Sequence, residues 1–174
     1  AFTIQLLELQ PRMVIALNQI DIAEAKGILV YTKELSRELG VPVVPTVAVK
    51  GAGLTELVKT AMEAVKGEKA KPINYGSEIE DGIKNIVEEL KAETPYPSRW
   101  IAIKLLEGDA EIERIIYERQ PEIKTKVDAQ RDIIEEIHGH EIGSVMTSER
   151  YGLASIISEK TTRHVIPDKT LRDR

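Results

Sequence analysis

Asn18-Gln19-Ile20-Asp21 carries the most specific chemistry in this sequence. A carboxylate accepts hydrogen bonds through both of its oxygens, so Asp21 can face two adjacent N–H donors. Guanine offers that pair through N1–H and its exocyclic N2 amine, and adenine does not. Asn18 can brace the next loop and touch the base, while Gln19 stands where a Lys or Met often lies under the ring. The same residues also suit a turn and a helix N-cap. A second stretch, Ala48-Val49-Lys50-Gly51-Ala52-Gly53, is a small-residue, glycine-rich loop ahead of a helical pattern. Backbone N–H groups of Val49 and Lys50 can bind a base oxygen there, with glycines allowing a tight turn. A plain strand-to-helix loop is the competing use.

Other chemistries find less support. No G-x-x-x-x-G-K-[ST] phosphate cradle surrounds any of the 11 Gly, and no Asp is followed three residues later by Gly. His138-Gly139-His140-Glu141 holds two imidazoles and a carboxylate, but a Gly at a predicted helix end reads as a C-cap with solvent-facing His. No metal site is assigned. The Glu pairs at 88 and 89 and at 135 and 136 fall on helical patterns whose other face is apolar, so they read as solvated faces. With three His and no Ser-His-Asp arrangement, nucleophilic catalysis has no positive signal, and no catalytic residue is assigned.

These residues need a folded frame, and the composition supports one. The chain has 174 residues, 42% hydrophobic and 30% charged, with 24 Lys+Arg against 29 Asp+Glu for a net charge of −5. One Trp, one Phe and five Tyr leave few platforms for stacking on bases. Together with the negative charge and the lack of a basic block, this argues against nucleic acid as a partner. The absence of Cys excludes disulfides and thiolate zinc sites and fits a reducing compartment. No apolar run approaches membrane-spanning length.

Met13 to Leu17 (MVIAL) reads as a buried parallel strand, and Val41 to Val49 (VPVVPTVAV) as a second. Lys33 to Leu39 and Leu54 to Val65 read as helices stopped by Gly40 and Gly67. The charged stretch Gly67 to Pro72 (GEKAKP) is the linker candidate, dividing the chain into 1–70 and 71–174. Beyond it, helical periodicity predicts Glu78 to Leu90, then Arg99 to Leu106, with Trp100, Ile101, Leu105 and Leu106 forming a central packing layer. A helix capped by Asp109, one begun near Pro121 and one from about Ser144 to His164 complete the series. The fold class is therefore α/β for the first part, with two parallel strands, followed by an all-α five-helix part. Phe2, Ile4, Leu6, Leu7 and Leu9 form a helix-like run at the very start, which reads as a start inside a larger domain.

Several stretches resemble the cytosolic region of the ferrous iron transport protein B (FeoB) family: FTIQLLEL, MVIALNQIDIAEAKGI, VPVVPTVAVKGAGLTEL and, most specifically, YPSRWIAIKLLEGDAEI from Tyr96 to Ile112. NYGSEIEDGI and SERYGLASII are similar to its helical domain. The resemblance covers essentially the whole chain. It implies the last two strands of a Ras-like P-loop GTPase domain over 1–70. A helical domain over 71–174 that slows guanine-nucleotide dissociation follows, and then a membrane-embedded permease reached through the tail TLRDR. The implied ligand is GTP or GDP, with Mg²⁺ in the intact parent domain. By carry-over, Asn18, Gln19 and Asp21 lie at the guanine and the turn Ala48, Val49, Lys50 gives the second base contact. The phosphate loop, switch regions and Mg²⁺ ligands are expected before Ala1, so the chain alone is expected to be inactive although its parent family hydrolyses GTP. The implied partners are the guanine nucleotide, the N-terminal GTPase half and the permease, at the cytoplasmic face of the cell membrane. A homo-oligomer is left open. A fragment of another Ras-like GTPase whose helical part binds a protein is the alternative, as is a helical binding module on a degenerate α/β remnant. The RWIAIKLLEGD stretch and the lack of a basic face favour the transporter.

Overall fold

A computed structural model describes residues 1–166. The tail Thr170 to Arg174, expected to lead toward a membrane segment, lies outside the described residues. In chain order the elements are α1 (Phe2–Glu8), β1 (Ile15–Asn18), α2 (Ile20–Ala25), β2 (Ile28–Val30), α3 (Thr32–Leu39), β3 (Val43–Thr46) and, after a 3-10 turn at Ala48–Lys50, α4 (Leu54–Lys66). Then come α5 (Ser77–Glu89), α6 (Ser98–Glu107), α7 (Ala110–Arg119), α8 (Ile123–His138), α9 (Ile142–Thr161) and β4 (Thr162–His164). Two compact units result, and neither is one continuous stretch. One is Ala1–Gln10 with Pro72–Leu153; the other is Pro11–Lys71 with residues 154–166.

In the sheet unit, β1 and β3 pair in parallel with Ile15 opposite Val43 and Asn18 opposite Thr46. A parallel pair cannot be closed by a tight turn, and the chain between them makes the crossover through α2, β2 and α3. β3 carries Pro45, which lacks a ladder N–H and belongs at an edge. The strand ends at Thr46, earlier than the expected Val49, because Val47 N–H bonds Ala52 O at 3.0 Å and folds the chain into the 3-10 turn. Gly53 closes that turn at φ +80°, and a Cβ there would lie 2.3 Å from Pro45 O. Only glycine fits both demands. β1 also departs from expectation. It starts at Ile15 rather than Met13, and its side chains alternate between half-buried and exposed instead of being buried throughout. Among the described residues it has β3 on one edge and no strand on the other.

Two strands escaped the sequence reading. β2 pairs antiparallel with β4, Ile28 opposite His164 and Val30 opposite Thr162, and bonds from Tyr31 N to Thr161 O and from Val165 N to Gly27 O, each 2.8 Å, extend the ladder. The last helix therefore stops at Thr161 rather than continuing to His164. Thr161 and Thr162 direct their hydroxyls back to Ile157 O and Ser158 O at 2.7 Å, a local bond that weakens a helix end, and the β2 edge supplies the backbone partners that the next turn would have provided.

The helical unit is built around α6, whose Ile101, Ala102, Ile103, Leu105 and Leu106 are all buried. Ile79, Ile83 and Ile86 of α5, Ile112 and Ile116 of α7, and Val127 and Ile134 of α8 pack in the same core. Gly82 lets α5 and α8 approach, since its Cβ would already sit 3.2 Å from Ile134 Cδ1. Asp109 caps α7 by accepting from Ile112 N–H at 3.2 Å. Ile101, Leu105 and Leu106 form the central layer as expected, and Trp100 does not join them. It lies partly buried against the core's outside, tilted on Tyr96 with ring centroids 4.8 Å apart, because a helix buried all round needs compact aliphatic side chains at its centre.

α1 packs in this unit although it precedes the linker candidate in sequence. Glu8, 2% exposed, takes a two-pronged ion pair from Arg150, 3% exposed, at 2.7 and 3.0 Å. Arg150 also pairs with Glu107, and Tyr75 OH donates to Glu8. Burial beside the Glu8 carboxylate pushes the Tyr75 phenol well above its ordinary range, and the two carboxylates hold Arg150 charged. Once one partner of a buried pair is removed, the other charge stays desolvated with nothing to offset it. We therefore expect Arg150→Met to lower unfolding free energy by about 3–5 kcal/mol in urea denaturation, and removal of residues 1–10 to destabilise the helical unit. A midpoint unchanged in Arg150→Met would show that the cluster is solvated.

Candidate functional site

β1 and β3 end side by side, and their register places the two sequence motifs at one end of the sheet. Asn18 is the last residue of β1 and faces Thr46, the last of β3. Its carboxamide oxygen accepts from Ala48 N–H at 3.0 Å and from the Thr46 hydroxyl at 3.3 Å. A single side-chain atom thus ties the first motif to the second. Gln19 follows at φ +61°, a left-handed conformation that costs a non-glycine residue about 1–2 kcal/mol. It takes the chain from strand to helix in one residue and sets Asp21 in the first turn of α2, where a carboxylate suits the helix dipole.

Asp21 engages both oxygens. Oδ1 accepts from Ile22 N–H at 3.0 Å, and Oδ2 meets the Lys50 ammonium at 2.6 Å. The Lys50 ammonium holds the Asp21 carboxyl below the usual carboxylate range, so it stays ionised through neutral pH. In the turn itself, Lys50 N–H bonds Val47 O at 2.9 Å, Gly51 N–H bonds Ala48 O at 3.1 Å, and Ala48 N–H is held by Asn18. Of the two amides expected to meet a base oxygen, that of Lys50 is therefore engaged within the turn, leaving Val49, whose residue is 95% exposed.

Asn18 and Ala48 thus come together directly, as do Asp21 and Lys50, while Gln19 and Val49 flank them at the surface. The sequence reading missed the Thr46 hydroxyl and the Lys50 side chain. Only the strand register and the path of the turn, which single-residue patterns do not encode, bring them in. A groove of about 390 Å³ lined by Thr32, Ser36, Val43 and Thr60 opens on the same unit and includes none of these residues.

Among the secondary candidates, Gly139 is the C-cap expected of it, and His140, Glu88, Glu89 and Glu136 are exposed, while His138 and Glu135 make structural contacts. His138 is not solvent-facing; its Nε2 lies 2.8 Å from Glu78 Oε1, with both side chains about a quarter exposed. Glu135 accepts from Ile142 N–H at 2.8 Å, between α8 and α9. Among the described residues, no group of three or more His, Cys, Asp or Glu is placed to hold a metal ion.

Comparison with known proteins gives the family. A family model described as FeoB cytosolic helical domain matches residues 75–163, and one described as Ferrous iron transport protein B matches residues 1–61. The chain belongs to the FeoB family. The Fe(2+) transport protein A/Fe(2+) transporter FeoB fusion protein of Porphyromonas gingivalis is 38% identical over 186 residues, covering 99% of this chain and 22% of that protein. The Fe(2+) transporter FeoB of Escherichia coli K12 is 34% identical over 109 residues, 62% of this chain and 14% of that one. Among solved structures, mGMPPNP-bound NFeoB from S. thermophilus superposes with a TM-score of 0.81 at 31% identity, covering 94% of this chain and 62% of that chain. NFeoB from S. thermophilus bound to GDP.AlF4- and K+ gives 0.80 at 31%, covering 90% and 62%. The matched stretch spans 22% of the first of these curated relatives and 14% of the second. The α/β piece followed by a helical domain, expected from the sequence, is the FeoB arrangement.

The Asn18 bridge yields a direct test. Asn18→Ala removes the acceptor of both Ala48 N–H and the Thr46 hydroxyl. It should cost about 1 kcal/mol and speed hydrogen exchange at the Ala48 amide, with amides of the helical unit unaffected. An Ala48 amide that exchanges at the parent rate would show that the bridge does not hold the turn.

Proposed function

We propose that this chain is a cytosolic, guanine-nucleotide-binding regulatory region of a ferrous iron transporter, and that Asn18, Asp21 and the Ala48–Lys50 turn form its base-recognition site. The observation that carries the reading is the Asn18 bridge, which sets an ionised Asp21 carboxylate and the exposed turn at Val49 at the same end of the sheet. A guanine edge presents N1–H and the N2 amine beside O6. The carboxylate suits the two donors, and the Val49 amide suits the oxygen. Gln19 offers its aliphatic stem alongside the ring. The family and the nucleotide-bound structures of its relatives support the same ligand class.

The roles of the remaining parts follow from this reading. The helical unit serves to retain the nucleotide, and the iron-conducting step belongs to a membrane permease outside this chain. Among the described residues, no helix is long and apolar enough to cross a membrane. A working position at the cytoplasmic face of the membrane is part of the same proposal. Phosphoryl transfer needs a phosphate cradle, a metal and a positioned water. The sequence contains no G-x-x-x-x-G-K-[ST] motif, and no catalytic step is assigned to its residues. Mg²⁺ accordingly belongs to the phosphate end of an intact G domain.

Base choice is the decisive experiment. In a protein carrying a complete G domain around these residues, Asp21→Asn exchanges two acceptors for an acceptor and a donor. GDP affinity should fall at least about thirtyfold, and xanthine nucleotide should be bound in preference. Unchanged GDP binding by calorimetry would refute the site. A separate expectation is that the 174-residue chain alone shows no GTP hydrolysis above background; turnover that co-purifies with the protein peak would contradict it.

A further inference from the structure

The Lys50 side chain is not needed to build the turn, whose bonds run through backbone groups and Asn18. Instead it leaves the turn and reaches Asp21, ending with its ammonium 2.6 Å from Oδ2, while Oδ1 is held by Ile22 N–H. A guanine edge laid between the Asp21 carboxylate and the Val49 amide brings its N–H donors to those same oxygens. The space between the two motifs is therefore crossed by a side chain of the protein.

We propose that Lys50 is a built-in competitor for guanine, its ammonium standing in for the base's N–H donors on Asp21 and leaving when the base arrives. The proposal rests on the base-recognition reading given above and adds its regulation. The ammonium offers a full charge where the base offers neutral N–H groups, so each binding event exchanges an ion pair for two hydrogen bonds from neutral donors to the carboxylate. The pair is solvent-accessible, with Lys50 at 65% and Asp21 at 33% side-chain exposure. Exposed ion pairs contribute little and are screened by salt, which makes the latch weak enough for a ligand to open. Base affinity is lowered a few-fold, and the site returns to a satisfied state on release, so an emptied pocket leaves no lone carboxylate.

The opposite role, Lys50 orienting Asp21 to help the base bind, predicts the reverse effect of removing the charge. The test uses the chain itself, titrated with 5′-GMP and with 5′-AMP as the control for phosphate binding, followed by amide shifts in NMR spectra. Lys50→Met keeps the aliphatic stem and removes the ammonium. The expected result is a GMP-over-AMP preference two- to fivefold larger in Lys50→Met than in the parent chain. Raising salt should increase the parent's preference toward that of the variant and leave the variant's unchanged. Adding Asp21→Asn to Lys50→Met should abolish the preference, tying the effect to that carboxylate. A preference that Lys50→Met leaves equal or reduces, with Asp21→Asn still abolishing it, overturns the latch and keeps the base site. Absence of any GMP preference in parent and variant alike overturns the base site and the latch with it.

Discussion

One carboxamide oxygen, that of Asn18, accepts from the hydroxyl of Thr46 and the amide of Ala48, and the geometry of the candidate site depends on that bridge. It requires the parallel register that sets Asn18 against Thr46, because a shift of one residue would turn the side chain to the other face of the sheet. It also requires the turn after β3 to present an N–H, which follows from Val47 bonding Ala52 and from Gly53 closing the loop against Pro45 O. Asp21 and Lys50 then meet as a consequence. Neither lies on a strand; the paired strand ends bring their two loops within ion-pair distance.

The helical unit rests on a different constraint. Glu8 and Arg150 are both almost wholly buried, and each is tolerable only in the presence of the other. Glu107 and Tyr75 complete the shell, so groups from α1, the segment before α5, α6 and α9 are committed to one cluster. Placing charge in the interior in this way specifies which α1 residue faces the unit, since any rotation of that short helix strands a carboxylate among apolar side chains. The role proposed for this unit in retaining nucleotide requires such a fixed body.

What the sequence disclosed and what it withheld divide along contact distance. Asn18 and Asp21 were legible because their types suit guanine and they follow an apolar strand at the end where α/β sheets bind ligands. The five helices after Ser77 were legible from apolar spacing and from Gly108 and Gly139 at their ends. The Lys50–Asp21 pair was not, since it joins residues 29 apart through a register that no local pattern states. That α1 packs with the helical unit is not legible either, because its deciding partner is 142 residues away. β4 is not legible, because Thr162–His164 holds no apolar residue to mark a change of period and its partner is the three-residue β2, too short to carry a period of its own. Of the expected central layer, Ile101, Leu105 and Leu106 are fully buried and Trp100 alone lies at its edge.

The central claim is that the Asn18–Ala48 bridge frames a guanine pocket. The measurement that meets it most directly is the map of amide shifts produced by a guanine nucleotide on the intact chain. The account predicts shifts concentrated at Val49, Lys50 and Ile22 and at the Asn18 side-chain amide, with adenine nucleotide leaving these positions nearly unmoved. Shifts confined to other surfaces, or identical responses to the two bases at these four positions, would contradict it.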